Sequence, residues 1–287
     1  MGGTSTYAAG WDLGDLLHGG VVGEVIDSNH ASFERGDLVR GRLHWAEYGT
    51  ALGDDLELID PDLAPLSTRL GVVGMPGRTA YFGMRAVAAP QADDTVVVSG
   101  AAGAVGSTAA QIARLTGCRV VGTAGSSHKC EWLETEAGID AAINYQCTED
   151  LSAALERVCP AGVDVYFDNV GGAITDAVFE QLSVDARVAV CGQIALYNAQ
   201  ERPTGPRKLN ALIGKRASVE GFLVGDFDAR ADAAERQLAA WIASDAIAYA
   251  ETVASGIVSA ATAFVGLFSG ANLGKQVVHV ADPVHGT

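Results

Sequence analysis

The stretch VVVSGAAGAVGSTAAQIA at residues 96–113 constrains the fold of this chain more than any other. A run of β-branched residues, typical of a buried strand, leads into a turn of small residues and then into a helix-forming segment. Ala101, Gly103 and Gly106 have the spacing of the dinucleotide fingerprint G-x-G-x-x-G, with alanine at the first position. Gly103 would let the backbone approach a pyrophosphate, and Gly106 would let the helix pack on the strand. The alternative is a tight turn that binds nothing, but the flanking elements favour a dinucleotide.

Strands and helices alternate after this turn. Helices are predicted at 79–87 and 228–242, and apolar strands at 95–99, 118–123, 163–168, 186–191 and 217–223. The alternation predicts an α/β fold built on a doubly wound parallel sheet of the Rossmann type. Short strands and turns are predicted before residue 74, at 19–27 and 36–45, and a strand is predicted again at 274–282. β-rich segments therefore flank the α/β part.

Charge and cysteine usage exclude several classes of protein. The formal net charge of −16 disfavours a nucleic acid or an anionic membrane as partner, because both would be repelled. No apolar run reaches the roughly 20 residues of a membrane span. The five cysteines form no C-x-x-C pair, which argues against a disulfide framework. Reduced cysteines fit a cytoplasmic protein, which is the location we predict.

The end of the second predicted strand indicates which dinucleotide would bind. NAD sites usually place an acidic residue roughly 20 residues beyond the fingerprint, on the ribose 2′-hydroxyl. Here that place reads VVGTAGSSHK, which has no acidic residue but offers Ser126, Ser127, His128 and Lys129. Hydroxyl groups and a cation suit a 2′-phosphate, so we predict NADPH/NADP as cofactor. A helix cap with a solvated lysine is the alternative.

Five motifs follow one another along the chain: GMPGRTAYFGM (74–84), AAGAVGS (101–107), FDNVGG (167–172), CGQIALYN (191–198) and NLGKQVV (272–278). Together they resemble the zinc-independent medium-chain dehydrogenase/reductases, specifically the branch of leukotriene B4 dehydrogenase/prostaglandin reductase and plant-type alkenal double-bond reductases. The resemblance implies a Rossmann NADP-binding domain inserted in a GroES-like β-barrel catalytic domain. We expect the Rossmann domain at 74–246 and the catalytic domain at 1–73 and 247–287.

The resemblance also implies a reaction: NADPH-dependent reduction of the C=C bond of α,β-unsaturated aldehydes and ketones, with the hydride going to the β carbon. The resulting enolate oxygen needs hydrogen-bond donors. In this branch the tyrosine of the YN motif, here Tyr197, serves as one. It would donate a hydrogen bond or relay the α-carbon proton. The alternative for Tyr197 is a half-buried loop side chain. The alternative functions are an NADPH-dependent quinone reductase and a non-catalytic NADPH-binding protein.

Further cofactor residues are carried over from the same motifs. Lys129 resembles the family's 2′-phosphate lysine, Tyr145 a tyrosine at the adenine-ribose end, and Asn272 an asparagine near the nicotinamide half. Asn169 follows a strand, at the sheet edge where ligands bind, and Asp168 is expected to be structural. The predicted set is Met75, Thr79, Ala102, Gly103, Ala104, Val105, Gly106, Ser126, Lys129, Tyr145, Asn169, Cys191, Gly192, Ile194 and Asn272.

A metal is not expected. Zinc-dependent relatives use a cysteine and a His-Glu pair near the N-terminus, together with four closely spaced cysteines. No cysteine precedes Cys118 here, and His18 and Glu24 are not adjacent. A zinc of that type would therefore have no ligand set.

The start of the chain departs from the family pattern. The family carries roughly 40 to 45 more residues before this point, judged against usual domain sizes. They would hold the first barrel strands and a DPYM motif whose tyrosine helps to close the substrate pocket, and Tyr7 matches a later position. A fragment or mis-started reading frame, a natural short form with an open pocket, and a protein that binds cofactor without catalysis are the three alternatives.

A homodimer is expected, because the family pairs Rossmann sheets edge to edge. The segment SVEGFLVGDF at 218–227 is a β-rich candidate for the edge strand, and an unpaired strand of this composition would be prone to aggregation. An interior strand is the alternative. The other expected partner is a small enal or enone substrate.

Overall fold

The structure is a computed structural model that describes residues 11–199, 201 and 203–283, so Tyr7 lies outside the described residues. Three antiparallel strands come first: β1 (His18–Glu24), β2 (Leu38–His44) and β3 (Leu56–Leu58). They form one sheet in the order β1-β2-β3. The strands predicted at 19–27 and 36–45 are confirmed as β1 and β2.

A parallel sheet of six strands follows. In chain order its strands are β4 (Thr95–Val98), β5 (Arg119–Ala124), β6 (Ala141–Asn144), β7 (Val163–Asp168), β8 (Leu182–Val190) and β9 (Ser218–Gly221). Their spatial order, β6-β5-β4-β7-β8-β9, is that of a Rossmann sheet. The doubly wound α/β fold is thereby confirmed, and the short β6 is a strand that the sequence did not predict.

Helices cover both faces of this sheet. They are α1 (Met75–Phe82), α2 (Ala104–Leu115), α3 (Ser127–Thr135), α4 (Leu151–Val158), α5 (Gly172–Glu180), α6 (Leu209–Lys215) and α7 (Ala231–Ala243). Successive residues of β4 face opposite sides: Val96 and Val98 pack in one apolar cluster, and Val97 packs in the other. All three are fully buried, as expected for a central strand covered on both faces.

Two predicted helices differ from the structure at their ends. The helix predicted at 79–87 begins earlier, at Met75, and its second half, Gly83–Ala88, is π-helical. A Cβ atom on Gly83 would lie 2.5 Å from the ring of Phe222, so only glycine fits there. The helix predicted at 228–242 begins at Ala231, because a 3₁₀ segment (Val224–Arg230) precedes it.

The C-terminal part is less purely β than the sequence indicated. Its strands β10 (Glu251–Ser255) and β11 (Lys275–His279) are parallel, and helix α8 (Ala260–Phe268) lies between them. Parallel neighbours need a crossover connection, which α8 supplies. No helix of the described part is long and apolar enough to cross a membrane. The domain boundaries at 73/74 and 246/247 stay predictions.

A buried ionic cluster joins the N-terminal strands to the Rossmann part. Glu235 of α7 accepts hydrogen bonds from Arg40 of β2 at 2.7 Å and from Arg69 at 3.3 Å, and it pairs with Arg78 of α1 at 3.5 Å. The Glu235 side chain is only 5% exposed. This cluster fixes α1, and therefore the predicted cofactor residues at its start, against both parts of the chain.

Candidate active site

The carboxyl ends of the parallel strands meet at one edge of the sheet, and most of the predicted site residues follow those ends. The fingerprint turn follows β4, Ser126 and Lys129 follow β5, and Asn169 follows β7. The order of the strands reverses between β4 and β7, which are neighbours in the sheet. In doubly wound sheets the crevice at this reversal is where ligands bind.

The fingerprint turn brings backbone close to backbone. Gly100 adopts a left-handed conformation with φ of 59°, and the N–H of Gly103 donates to its carbonyl oxygen at 3.0 Å. A Cβ on Gly106 would lie 2.3 Å from that same oxygen, so the close packing of helix on strand requires glycine. Within the described residues no side chain caps the start of α2. Its first N–H groups, around Ala104 and Val105, are thus suited to an anion.

The residues predicted at the phosphate and adenine end lie around the end of β5. The Oγ of Ser126 caps α3 by accepting a hydrogen bond from the N–H of Lys129 at 3.4 Å. The Nζ of Lys129 donates to the carbonyl oxygen of Gly270 at 2.8 Å. Burial lowers the pKa of Lys129, because the ammonium group is partly removed from water. The hydroxyl group of Tyr145 packs against Gly125 in the same turn. A Cβ atom at position 125 would lie 2.8 Å from that hydroxyl oxygen.

The C-terminal loop runs along this cofactor edge. The N–H of Gly274 donates to the carbonyl oxygen of Ala102 at 2.8 Å, directly in the fingerprint turn. Asn272 turns back on this loop, because its Nδ2 donates to the carbonyl oxygen of Gly274 at 2.7 Å. Lys129 also contacts Gly270. Because of these bonds, residues 270–274 extend from the carboxyl end of β5 to the fingerprint turn.

Asn169 lies at the crevice and is held by the end of β4. Its backbone N–H donates to the Oγ of Ser99 at 2.9 Å, and its Nδ2 donates to the carbonyl oxygen of Ser99 at 2.7 Å. Ser99 is fully buried and directly follows β4. The sequence analysis did not select Ser99, although a polar residue at the carboxyl end of a central strand is a usable signal.

Asp168, the last residue of β7, is fully buried and collects the polar groups of this edge. Six groups donate hydrogen bonds to its carboxylate, which compensates the burial of the charge. Those donors are the hydroxyl groups of Ser99, Tyr166 and Thr175, the N–H groups of Val170 and Gly171, and the Nε2 of Gln193. This arrangement agrees with a structural role for Asp168. Gln193, Thr175 and Tyr166 were not selected from the sequence, because nothing local reveals their common partner.

The segment after β8 carries Cys191, Gly192, Ile194 and Tyr197. The N–H groups of Cys191 and Gly192 donate to the carbonyl oxygen of Asp168, at 2.8 and 3.0 Å. The hydroxyl oxygen of Tyr197 accepts a hydrogen bond from the N–H of Gln193 at 3.1 Å. Burial, with a smaller contribution from the charge of Asp168, raises the pKa of Cys191 to about 12. Its thiol is therefore unreactive near neutral pH.

Met75 and Thr79 form a pair of their own at the start of α1. The Oγ1 of Thr79 donates to the carbonyl oxygen of Met75 at 2.8 Å, and the Met75 side chain is exposed. In the described part of the chain no hydrogen bond joins this pair to the other predicted cofactor residues. Likewise, no group of three His, Cys, Asp or Glu side chains there could hold a metal ion.

The geometry around this edge fits an NADP nucleotide. The glycine turn leaves space that side chains would fill, uncapped N–H groups face that space, and the partly buried ammonium of Lys129 lies one strand away. These are the groups needed for a pyrophosphate and a 2′-phosphate. The assignment of individual residues to the two phosphate groups stays a prediction.

Two family models match the chain: "N-terminal domain of oxidoreductase" at residues 1–59 and "Zinc-binding dehydrogenase" at residues 104–244. The chain is 46% identical to a putative NADP-dependent oxidoreductase of Bacillus subtilis, YfmJ, over 98% of this chain and 83% of that protein. It is 44% identical to a 2-alkenal reductase (NADP⁺-dependent) of Nicotiana tabacum, over 96% of this chain and 80% of that protein.

The fold is shared with solved structures as well. The crystal structure of CurA from Vibrio vulnificus in complex with NADPH matches with a TM-score of 0.90 and 37% identity, over 97% of this chain and 84% of that one. The sequence resemblance and the structural match thus agree over almost the whole chain. The chain belongs to the medium-chain dehydrogenase/reductase family, in its zinc-independent branch of prostaglandin and alkenal double-bond reductases.

Proposed function

We propose that the chain reduces the C=C bond of α,β-unsaturated aldehydes and ketones. Membership of this branch makes it an NADP-dependent oxidoreductase, and the enal or enone substrate is what we add. The observation that carries this choice is the hydroxyl group of Tyr197, oriented by a backbone N–H at the carboxyl edge of the sheet. The 44% identity to a 2-alkenal reductase supports the same substrate class.

The chain's own residues divide into two sets around the cofactor. The uncapped N–H groups at the start of α2, Ala104 to Gly106, would hold the pyrophosphate beside the backbone of Ala102 and Gly103, and Lys129 with Ser126 would hold the 2′-phosphate. Tyr145 would contact the adenine-ribose end. When bound, NADPH supplies the hydride. The nicotinamide half would lie against Met75, Thr79, Asn169, Cys191, Gly192, Ile194 and Asn272.

We infer that Tyr197 would donate a hydrogen bond to the substrate. Its oxygen already accepts from the N–H of Gln193, so its own O–H can point towards a substrate oxygen. As the β carbon gains the hydride, the π electrons of the C=C bond shift towards the carbonyl oxygen. Tyr197 would stabilise that oxygen, and its hydroxyl group would relay a proton from water to the α carbon. Tyr197 is the catalytic residue of this proposal.

The test is oxidation of NADPH by the purified chain, with and without a simple 2-alkenal, followed by identification of the product. With NADPH deuterated at the transferred position, we expect the saturated aldehyde with one deuterium at its β carbon. Reduction of quinones to hydroquinones without saturation of the alkenal would instead favour a quinone reductase. Binding of NADPH without turnover of either substrate would favour the non-catalytic alternative.

We also propose a homodimer formed along β9. This strand ends the six-stranded sheet, all four of its residues are exposed, and Val219 is 43% exposed. An exposed edge strand of this kind is a template for pairing with another strand. Light scattering should give twice the chain mass, and Val219→Lys should shift the protein towards monomer. A monomeric wild-type chain would contradict this proposal.

A cytoplasmic location is the last part of the proposal. Its support is that all five cysteines are free, as expected where thiols are kept reduced. Fractionation of cells that express the protein would test this location. Recovery of the protein in the membrane fraction or in the exported fraction would contradict it.

A further inference from the structure

We propose that Gln193 is a positioning residue for Tyr197, and that the buried carboxylate of Asp168 holds Gln193 in place. This inference rests on the proposed role of Tyr197. It adds two residues, neither of which was expected to act on the reaction. Neither needs to touch the substrate, because both act through the orientation of one hydroxyl group.

The first argument is the pattern of backbone bonds in the segment after β8. The N–H of Gly192 donates to the carbonyl oxygen of Asp168, and the N–H of Ile194 donates to that of Asn169. Both bonds tie the segment to the turn after β7. The N–H of Gln193, between them, instead donates to the hydroxyl oxygen of Tyr197 at 3.1 Å. This one peptide group therefore orients Tyr197 and is not anchored to the turn by its own N–H.

The second argument is that the Gln193 side chain supplies the missing anchor. Its Nε2 donates to the Oδ2 of Asp168 at 2.8 Å. Its Oε1 lies over Gly171, where a Cβ atom would come within 2.4 Å. Gly171 has φ of 75°, a conformation that favours glycine, so the turn leaves room for the Gln193 amide. The side chain is thus held between a carboxylate and a glycine.

The third argument is that Asp168 is a rigid support. Its carboxylate receives five hydrogen bonds besides that of Gln193, from β4, from β7 and its turn, and from α5. A group bonded from several elements cannot rotate to follow a mobile partner. Asp168 therefore holds Gln193 in a fixed position relative to the sheet. Through Gln193 it also fixes the direction of the Tyr197 hydroxyl group.

The charges around this pair make the proposal testable by pH. Within the part of the chain that the structure describes, the titratable groups found to interact with Asp168 or Gln193 are Tyr166, Cys191 and Tyr197. Burial, and next the charge of Asp168, raises the pKa of Tyr166 well above its usual value, and the pKa of Cys191 is about 12. A carboxyl group introduced at position 193 would meet the Asp168 carboxylate, for which no salt bridge is found among the described residues. Protonated, it can donate to Asp168 as the amide does; ionised, it is repelled.

Two substitutions distinguish a positioning role from a general loss of folding or of cofactor binding. Gln193→Met keeps the length of the side chain but removes the donor, and we expect kcat to fall about tenfold with an unchanged Kd for NADPH. For Gln193→Glu we expect kcat at pH 8 to fall by a similar or larger factor. The ratio of its kcat to that of wild type should then rise at least about threefold between pH 8 and pH 6. The matched control is Gln91→Glu, at an exposed position just before β4 and at the opposite edge of the sheet, for which the ratio of kcat to that of wild type should not change with pH.

A readout without turnover keeps this inference separate from the proposed reaction. In hydrogen–deuterium exchange of the segment 191–199, the amide at position 193 should exchange roughly tenfold faster in both variants, because Tyr197→Phe removes the acceptor of that N–H and Gln193→Met releases the side chain that holds the peptide group in place. Unchanged exchange in Gln193→Met, or a pH profile of Gln193→Glu parallel to wild type, would overturn the positioning role. Failure of the wild-type chain to reduce any enal, with the exchange result as expected, would overturn only the proposed reaction.

Discussion

Replacement of Lys129 tests the cofactor assignment most directly, because this side chain has two distinguishable roles. Its Nζ donates to the carbonyl oxygen of Gly270, and we propose that it also binds the 2′-phosphate. A charge-assisted contact contributes about 1.5–3 kcal/mol. Lys129→Met should therefore weaken NADPH by roughly 10- to 150-fold. Loss of the Gly270 bond loosens the loop that carries Asn272, and that effect, about 1 kcal/mol, applies to NADPH and NADH alike.

The ratio of the two dissociation constants isolates the phosphate contact. Titration calorimetry with NADPH and NADH, at the same ionic strength, measures both. Lys129→Arg retains the positive charge and should keep most of the preference for NADPH. An equal loss of affinity for both cofactors in Lys129→Met would refute the 2′-phosphate assignment and leave Lys129 with the contact to Gly270 alone.

Three further substitutions test the rest of the site and its support. Tyr197→Phe should lower kcat by about 10- to 100-fold at unchanged NADPH affinity, and unaltered turnover would remove Tyr197 from the mechanism. Gly106→Ala places a Cβ 2.3 Å from a backbone oxygen and should cost roughly 1–3 kcal/mol in thermal unfolding, whereas Gly214→Ala, with open space around it, should not. Glu235→Gln leaves three arginines without their buried partner and should cost about 3 kcal/mol. For Glu57→Gln, whose side chain is 66% exposed, a loss above about 1 kcal/mol would contradict this reasoning.

Much of the Rossmann part could be predicted because its signals are local. The three valines of β4 indicate a buried strand by themselves, and the face formed by Ala109, Ile112 and Ala113 in α2 is fully buried as its helical spacing predicts. Gly103 directly precedes α2, and Gly106 lies in its first turn, next to the carbonyl oxygen of Gly100. The steric reason for the second glycine is contained in that turn, so no distant residue is needed to infer it.

The departures from prediction have non-local causes. Gly83, at the start of the π-helical segment, packs against the rings of Phe167 and Phe222, which lie far away in the chain. Helix α8 was missed because its sequence AATAFVGLF mixes alanine with β-branched and aromatic residues and is apolar almost throughout, so it lacks a clear helical period. The contact of Lys129 with Gly270 joins positions 141 apart, and no local pattern predicts such a bond.

The two halves of the proposed site therefore depend on different kinds of interaction. The cofactor half combines the backbone of the fingerprint turn with Lys129 beyond β5, so its affinity should respond to substitutions at both places whatever the substrate. The proposed catalytic half depends on one buried carboxylate, which in the described part of the chain is linked to Tyr197 through Gln193. Substitutions of Gln193 should alter turnover while NADPH binding persists. If turnover and NADPH affinity instead fell together in Gln193→Met, the two halves would be mechanically coupled, and the edge of the sheet would have to be treated as one cooperative unit.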